Sequence, residues 1–304
     1  AIEVENVFKR FGRVQALKGL TFKVRRGSAT GLLGPNGAGK TTTLKLLIGI
    51  LKRDKGEIRV FGFDPWIRER EVRSLVGILH EKPVYPTDIR VWDLMSYIAK
   101  IRGLEESDIK RSLKLAGLTQ CAERKVGSLS RGFLQRLGIA IAIIGDPELL
   151  LLDEPTANLD PAARIEILDL ISILKKELDV TVLISSHIIP ELERVCDSAI
   201  FIKDGRAVTQ GTLKELSETF KVKTVVEVEA EKTKELASKI IDKPFVSGLE
   251  FRENKLFISV EHGRVNELLD ELNVLRGDYG IGRINFKKAD LQEIYFKAVE
   301  EKQH

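Results

Sequence analysis

The sequence predicts an α/β fold: a mixed sheet core with an antiparallel β subdomain before it, a helical subdomain inserted in it and a small α+β module after it. Three observations predict this. ATGLL at 29–33 and ELLLLDE at 148–154 are short apolar strands that each run into a polar turn and then a helical pattern, the rhythm of a largely parallel sheet. Helical periodicity over residues 91–144 interrupts the strand pattern between them. After about Phe220 the pattern becomes β-α-β-β-α-β, the order of a ferredoxin-like module.

The elements follow in order. AIEVENVFKRFGRVQALKGLTFKV alternates apolar and polar residues and reads as antiparallel strands. ATGLL leads through a glycine loop into the helix KTTTLKLLIGIL, and GEIRVFG and VGILH are further strands. VWDLMSYIAKI, ESDIKRSLKLAGL and the segment opening at SLSRG are helical, forming a subdomain expected over about 88–146. ELLLLDEP is a strand buried on both faces, followed by the helix PAARIEILDLISILKKEL and the strand VTVLISSH. A short helix and a hairpin turning on Asp204-Gly205 come next, and Thr212 with Glu215 has the spacing of a capping box. The first domain is expected over 1–217 and the second over 218–304.

Composition narrows the classes. With 304 residues and 43% apolar content the chain can build a real core in one large or two medium domains. Charged residues are 31% of it, yet the signs nearly cancel at +4, which argues against a nucleic-acid surface. The two cysteines, Cys121 and Cys196, are far apart, so no disulfide framework is expected and a reducing cytosol fits. The apolar run LGIAIAIIG is far short of the roughly 20 residues that span a bilayer, and no secretory signal is read at the start.

GPNGAGKT, Gly34 to Thr41, has the spacing G-x-x-x-x-G-K-[ST] between a strand and a helix. The loop Gly34, Pro35, Asn36, Gly37, Ala38 and Gly39, through the backbone N–H groups of all but Pro35, makes a cradle for phosphates with the helix start at Lys40, Thr41 and Thr42. Lys40 is placed to reach the outer phosphates and the Thr41 hydroxyl to ligate Mg²⁺. The competing reading, a chance glycine turn, does not explain the agreement of strand, loop and helix. Asp153 and Glu154 emerge at the end of a strand buried by four leucines, where open α/β sheets place ligands. Asp153 suits Mg²⁺, and Glu154 can act as general base toward an attacking water; standing alone, such a pair is as often a cap or a solvated turn. His187 ends VLISSH, and by itself reads equally as structural or as a γ-phosphate contact. Ser130 and Gly132 open a second helix whose exposed amide end also suits a phosphate.

Taken together these motifs resemble the ATP-binding cassette (ABC) ATPases over roughly residues 1–215. The carriers are GPNGAGKT, LSRG at 129–132 with Gln135 and Arg136, LLLLDEP at 149–155, NLD at 158–160 and His187. SRGFLQR, with the ending DLQEIYFKAVEE, is most similar to cassettes that serve ABC-2 type exporters. The resemblance implies the P-loop NTPase fold, ATP and Mg²⁺ as ligands, and ATP hydrolysis coupled to transport. It implies a homodimer, head-to-tail, in which Ser130 and Gly132 touch ATP held by the second copy. It also implies a separate integral-membrane permease as partner, no nucleic acid, and residence on the cytoplasmic face of the membrane. Phe11 stands where the family stacks an aromatic on adenine, although its pattern alone reads as a core Phe. Asp160 stands where an aspartate crosses the dimer interface, and His187 at the switch histidine. Two positions depart from the pattern: Arg131 replaces a glycine of the signature, and Glu81, after His80, stands where a glutamine contacts Mg²⁺. A carboxylate at 81 is expected to bind the metal more strongly and to repel the γ-phosphate. The alternative is a soluble member of the family acting on ribosomes or DNA; a single cassette without a long coiled-coil insertion speaks against it. The second domain shows no catalytic constellation, and its His262 reads as a solvated loop residue.

Overall fold

A computed structural model of the chain describes residues 1–252, 255–261, 263–286 and 291–300, with the side chains of Pro190, Val299 and Glu300 left aside. His262 lies outside the described residues. The chain divides into two compact units, Ala1–Gln210 and Gly211–His304, seven residues earlier than the boundary expected at 217/218.

In the first unit, β1 (Ile2–Phe11), β2 (Val14–Val24) and, after β3 (Ala29–Leu33) and α1 (Lys40–Leu47), β4 (Lys55–Val60) form an antiparallel sheet in the order β2-β1-β4. The inward set Ile2, Val4 and Val7 skips one step of strict alternation. The skip is a bulge: the β1–β2 register shifts between Val4 and Val7, with Asn6 at φ +48°. The extra residue returns Val7 to the core face instead of sending it to solvent.

Beyond β4 come α2 (Glu69–Leu75), β5 (Val76–Leu79), α3 (Val91–Arg102), α4 (Glu106–Leu115) and α5 (Arg131–Ile143). They are followed by β6 (Leu149–Asp153), α6 (Pro161–Glu177), β7 (Thr181–Ser186), α7 (Ile189–Leu192), β8 (Ser198–Lys203) and β9 (Arg206–Thr212). Among the described residues the central sheet has the order β5-β6-β7-β3-β8-β9, parallel from β5 through β8. The hairpin turn at Asp204-Gly205, both at positive φ, sets β9 on its edge. β3, β6 and β7 are buried at every position, which explains why they read as continuous apolar runs. One core joins the two sheets, for Phe22, Leu20 and Val60 pack in the same cluster as Leu32, Leu151 and Ile200. Removing each such side chain from water contributes about 1.5–3 kcal/mol. The helical block has its own core, centred on Met95, Leu113, Leu137 and Ala140.

β5 sits flat against α5. A Cβ added at Gly77 would fall 1.9 Å from the carbonyl oxygen of Ala142, so the glycine permits backbone contact between strand and helix. Tyr85, in the loop after β5, is part of the helical block's packing, and burial pushes its phenol up to about 12.

The second unit opens with α8 (Leu213–Thr219), whose capping box is formed as expected: Glu215 N–H donates to Thr212 Oγ1 at 3.2 Å, and Thr212 N–H to Glu215 Oε2 at 2.8 Å. Then follow β10 (Thr224–Ala230), α9 (Thr233–Ile240), β11 (Val246–Arg252), β12 (Lys255–Val260), α10 (Val265–Val274), α11 (Arg276–Tyr279), β13 (Ile281–Phe286) and α12 (Leu291–Glu300). The sheet order β11-β12-β10-β13, antiparallel throughout, is the ferredoxin-like arrangement. Val226, Val228, Leu256, Ile258 and Val260 face Leu236, Ile240, Leu268 and Leu272 of its helices. α8 belongs to this unit because it packs on α12 and because Lys297 Nζ donates to the carbonyls of Phe220 and Lys221, each at 3.1 Å.

Candidate functional site

The strand order brings three loop ends together. β3 lies between β7 and β8, and β6 pairs with β7, so the loops leaving β3, β6 and β7 emerge side by side at the carboxyl edge. The loop after β3 wraps closely enough that only glycine fits at two points. Gly39 has φ +106°, and a Cβ on Gly34 would lie 2.1 Å from the carbonyl oxygen of Ile202. α1 then starts at Lys40 with its amide end toward the loop.

Lys40 folds back over that loop. Its Nζ donates to the carbonyls of Gly34 (2.8 Å) and Pro35 (3.2 Å) and stands 3.4 Å from Glu154 Oε1. Both side chains are nearly buried, at 6% and 9% exposure. Glu154 follows the last residue of β6 and sits at φ +47°, a conformation a side chain adopts only where its surroundings impose it. The surroundings are visible: its N–H donates to both the carbonyl (3.1 Å) and the hydroxyl (3.0 Å) of Ser185. Its other carboxylate oxygen, Oε2, lies 2.8 Å from His187 Nδ1. An ionised carboxylate only accepts, so Nδ1 is the donor in this contact.

Register explains the neighbouring carboxylate. Asp153 pairs with Ser185 across β6 and β7, and the Ser185 hydroxyl donates to Asp153 Oδ1 at 2.5 Å. Thr41 Oγ1 donates to the same oxygen at 3.3 Å. Thr41 and Asp153 thus lie side by side in a part-buried group of oxygen atoms.

A cavity of about 750 Å³ opens over this group. Asn36, Gly37, Gly39, Lys40, Thr41 and Thr42 form its floor. Glu81, Glu154 and His187 line it too, with Val14, Gln15 and Ala16 of β2 at one side and Asn158 and Arg164 at the other. Gly34, Pro35 and Ala38 shape the loop from behind: Gly205 N–H donates to Ala38 O at 3.2 Å. Glu81 is half-exposed and stands 3.7 Å from Lys82 Nζ. Phe11 is not brought into the cavity wall. It is 46% exposed at the end of β1, with Lys9 Nζ 5.4 Å from its ring centroid, and the facing strand supplies the apolar wall instead.

Ser130, Gly132 and Asp160 are in a separate hollow of about 340 Å³, which Arg131, Phe133 and Arg136 also line. Ser130 caps α5, accepting from Phe133 N–H at 3.4 Å, and Asp160 caps α6, accepting from Ala163 N–H at 3.0 Å. Asn158 borders both hollows, so the turn between β6 and α6 is the wall between them. Gln135, 8% exposed on α5, donates to the carbonyl of Pro155 at 2.6 Å and ties the helical block to this turn.

The residues that sequence reasoning missed are Ser185, Arg164, Glu191 and the β2 wall. Ser185 is masked by the uniform burial of its strand, and Arg164 reads as an ordinary helix surface charge.

Comparison with known proteins agrees with this geometry. The signature of the family described as ABC transporter matches residues 17–157. The chain is 31% identical to the uncharacterized ABC transporter ATP-binding protein YxlF of Bacillus subtilis (strain 168), covering 98% of this chain and 99% of that one. It is 40% identical over 215 residues to the Nod factor export ATP-binding protein I of Burkholderia lata, covering 69% and 70%. Among solved structures, cbiO1 from Clostridium perfringens, part of the ABC transporter complex cbiONQ, superposes with a TM-score of 0.65 at 29% identity, covering 80% of this chain and 95% of that one.

Proposed function

Because the chain belongs to the ABC transporter ATP-binding family, whose members bind and hydrolyse ATP, we propose that it powers export by closing head-to-tail on a second copy around two ATP molecules. The observation that carries this reading is the separation of the two half-sites. Lys40, Glu154 and His187 meet in one hollow, while Ser130, Gly132 and Asp160 line another across the Asn158 wall. A helix end that opens into a different hollow from its own chain's phosphate loop is fit to meet a partner's.

In the nucleotide hollow the loop amides and the α1 end hold the phosphates, and Lys40 turns from its carbonyl contacts toward the outer ones. Val14, Gln15 and Ala16 border the base end, with Phe11 at its margin. Glu154 accepts the proton of the attacking water as its oxygen bonds to the γ-phosphorus and the bond to ADP breaks. His187 lines the same hollow and orients that water. Mg²⁺ fits the donor set, which is all oxygen: the Thr41 hydroxyl, the Asp153 carboxylate and the Glu81 carboxylate would hold it. When bound, it neutralises charge on the phosphates.

No helix among the described residues is long and apolar enough to cross a membrane. Relatives named as ATP-binding proteins of lantibiotic and bacitracin transport support a separate integral-membrane permease as partner, met at the cytoplasmic face by the helical block and the loop at 81–87, where Val84 is 92% exposed. A relative named for Nod factor export supports an exporter over a ribosome- or DNA-directed ATPase. The test is the mass of Glu154→Gln by light scattering with saturating MgATP. A dimer is expected; a persistent monomer refutes the composite site.

A further inference from the structure

The wall between the two hollows is gripped by a carboxylate that the reading above leaves unused. Glu191 lies in α7, four residues past His187, and its side chain is 15% exposed. Its Oε2 accepts from Thr156 Oγ1 at 2.7 Å, and its Oε1 from Arg164 Nη1 at 3.0 Å. Arg164 also donates from Nε to the carbonyl of Leu159 at 2.9 Å. One side chain thus holds the turn just after Glu154 and, through Arg164, just before Asp160.

The turn needs holding. Glu154 and Asn158 are both in the left-handed region, at φ +47° and +61°, within five residues. Such backbone persists only where several contacts over-determine it. Gln135 supplies one from α5, at Pro155 O. Glu191 supplies the others from the helix that begins directly behind His187. Arg164 borders the nucleotide hollow, but its guanidinium is committed to Leu159 O and Glu191, so it buttresses the wall.

We propose that Glu191, acting through Thr156 and Arg164, is a positioning residue that fixes residues 156–160 so that Glu154 and His187 on one side and Asp160 on the other share one geometry. Displacement at His187 is then carried along α7 to Asp160 instead of being absorbed by a slack turn. The inference rests on the head-to-tail reading, since only there does Asp160 meet a second copy.

The test uses the full chain with MgATP. ATPase kinetics are measured for Glu191→Ala, Arg164→Ala, their combination and Glu191→Gln. MgATP binding is measured at protein concentrations that keep each variant monomeric, and self-association is measured in the Glu154→Gln background. For Glu191→Ala, kcat is expected to fall at least about tenfold while monomer affinity for MgATP moves less than about twofold. The double variant is expected to be no slower than the worse single one, because both break the same link. Glu154→Gln combined with Glu191→Ala should self-associate at least about tenfold more weakly than Glu154→Gln alone. Glu191→Gln keeps an acceptor but not the charge, and its kcat should fall between the alanine variant and wild type. A kcat within about twofold of wild type, or a loss matched by lost monomer affinity, overturns the proposal. Should Glu191→Ala fail to fold, Glu191→Gln decides: kcat lowered at unchanged affinity supports it, and unchanged kcat overturns it. If Glu154→Gln itself does not self-associate, the head-to-tail reading falls and takes this inference with it. If it does and the Glu191 variants match wild type, the inference falls alone.

Discussion

Replacing Lys40 by Met should lower the stability of the nucleotide-free chain, and neutralising Glu154 should recover much of the loss. The Lys40 ammonium and the Glu154 carboxylate stand 3.4 Å apart and are only 6% and 9% exposed. At an effective dielectric of about 20, charges at that distance attract by about 5 kcal/mol. Desolvation of both groups offsets most of this. The 2.8 Å contact with His187 would still satisfy one carboxylate oxygen after Lys40 is gone, and the open cavity admits water, so the remaining penalty is smaller than for a sealed site. What survives as pairwise coupling is about 1–3 kcal/mol. Lys40→Met should then cost about 2 kcal/mol, or roughly 4–8 °C in a unit of this size. Glu154→Gln removes the charge that Lys40 balances, so the double variant should be less destabilised than the two single losses added together. The assay is thermal unfolding of all four proteins without nucleotide or Mg²⁺. A cycle additive to within about 0.5 kcal/mol would refute the argument, for it would mean that the ammonium does not rest against the carboxylate.

Two further outcomes test the frame that holds the site. Gly77→Ala places a Cβ 1.9 Å from a backbone oxygen of α5, which cannot yield without parting strand from helix; a loss of about 3 kcal/mol is expected in thermal unfolding, and a melting temperature within about 2 °C of wild type would show the packing to be soft. Asp64 tests the pH dependence of the first unit: burial pushes its carboxyl up, but the Arg53 guanidinium (2.7 and 3.1 Å) and the Trp66 N–H outweigh this and hold it below its ordinary value of 3.8. Its contribution is therefore present above the unfolded value and lost as pH falls through the folded one, so Asp64→Asn should flatten acid destabilisation below about pH 4, and an unchanged acid limb would count against it.

Local patterns made much of the fold legible. Continuous burial of β3 and β6 appears as unbroken apolar runs, and the α8 capping box is written within four residues, Thr212 to Glu215. The P-loop is legible for the same reason, since Gly34 to Thr41 act through their own backbone. What escaped depends on register and topology. The skip at Asn6 looks like a flaw in alternation until β2 supplies the pairing, and α2 lies in a charged stretch, RERE, with Val72 as its single buried residue. The expected boundary at 217 followed the change of pattern after about Phe220, and α8 joins the later unit through its contact with α12, about eighty residues on.

The same distinction explains why Ser185 was unseen. Ser185 bonds Asp153 and Glu154 only because β6 and β7 pair in a register that sets it beside them. A shift of that pairing by one residue would turn the hydroxyl to the other face of the sheet and free the backbone of Glu154. The chemistry is therefore set by the register of two strands as much as by the residues they carry.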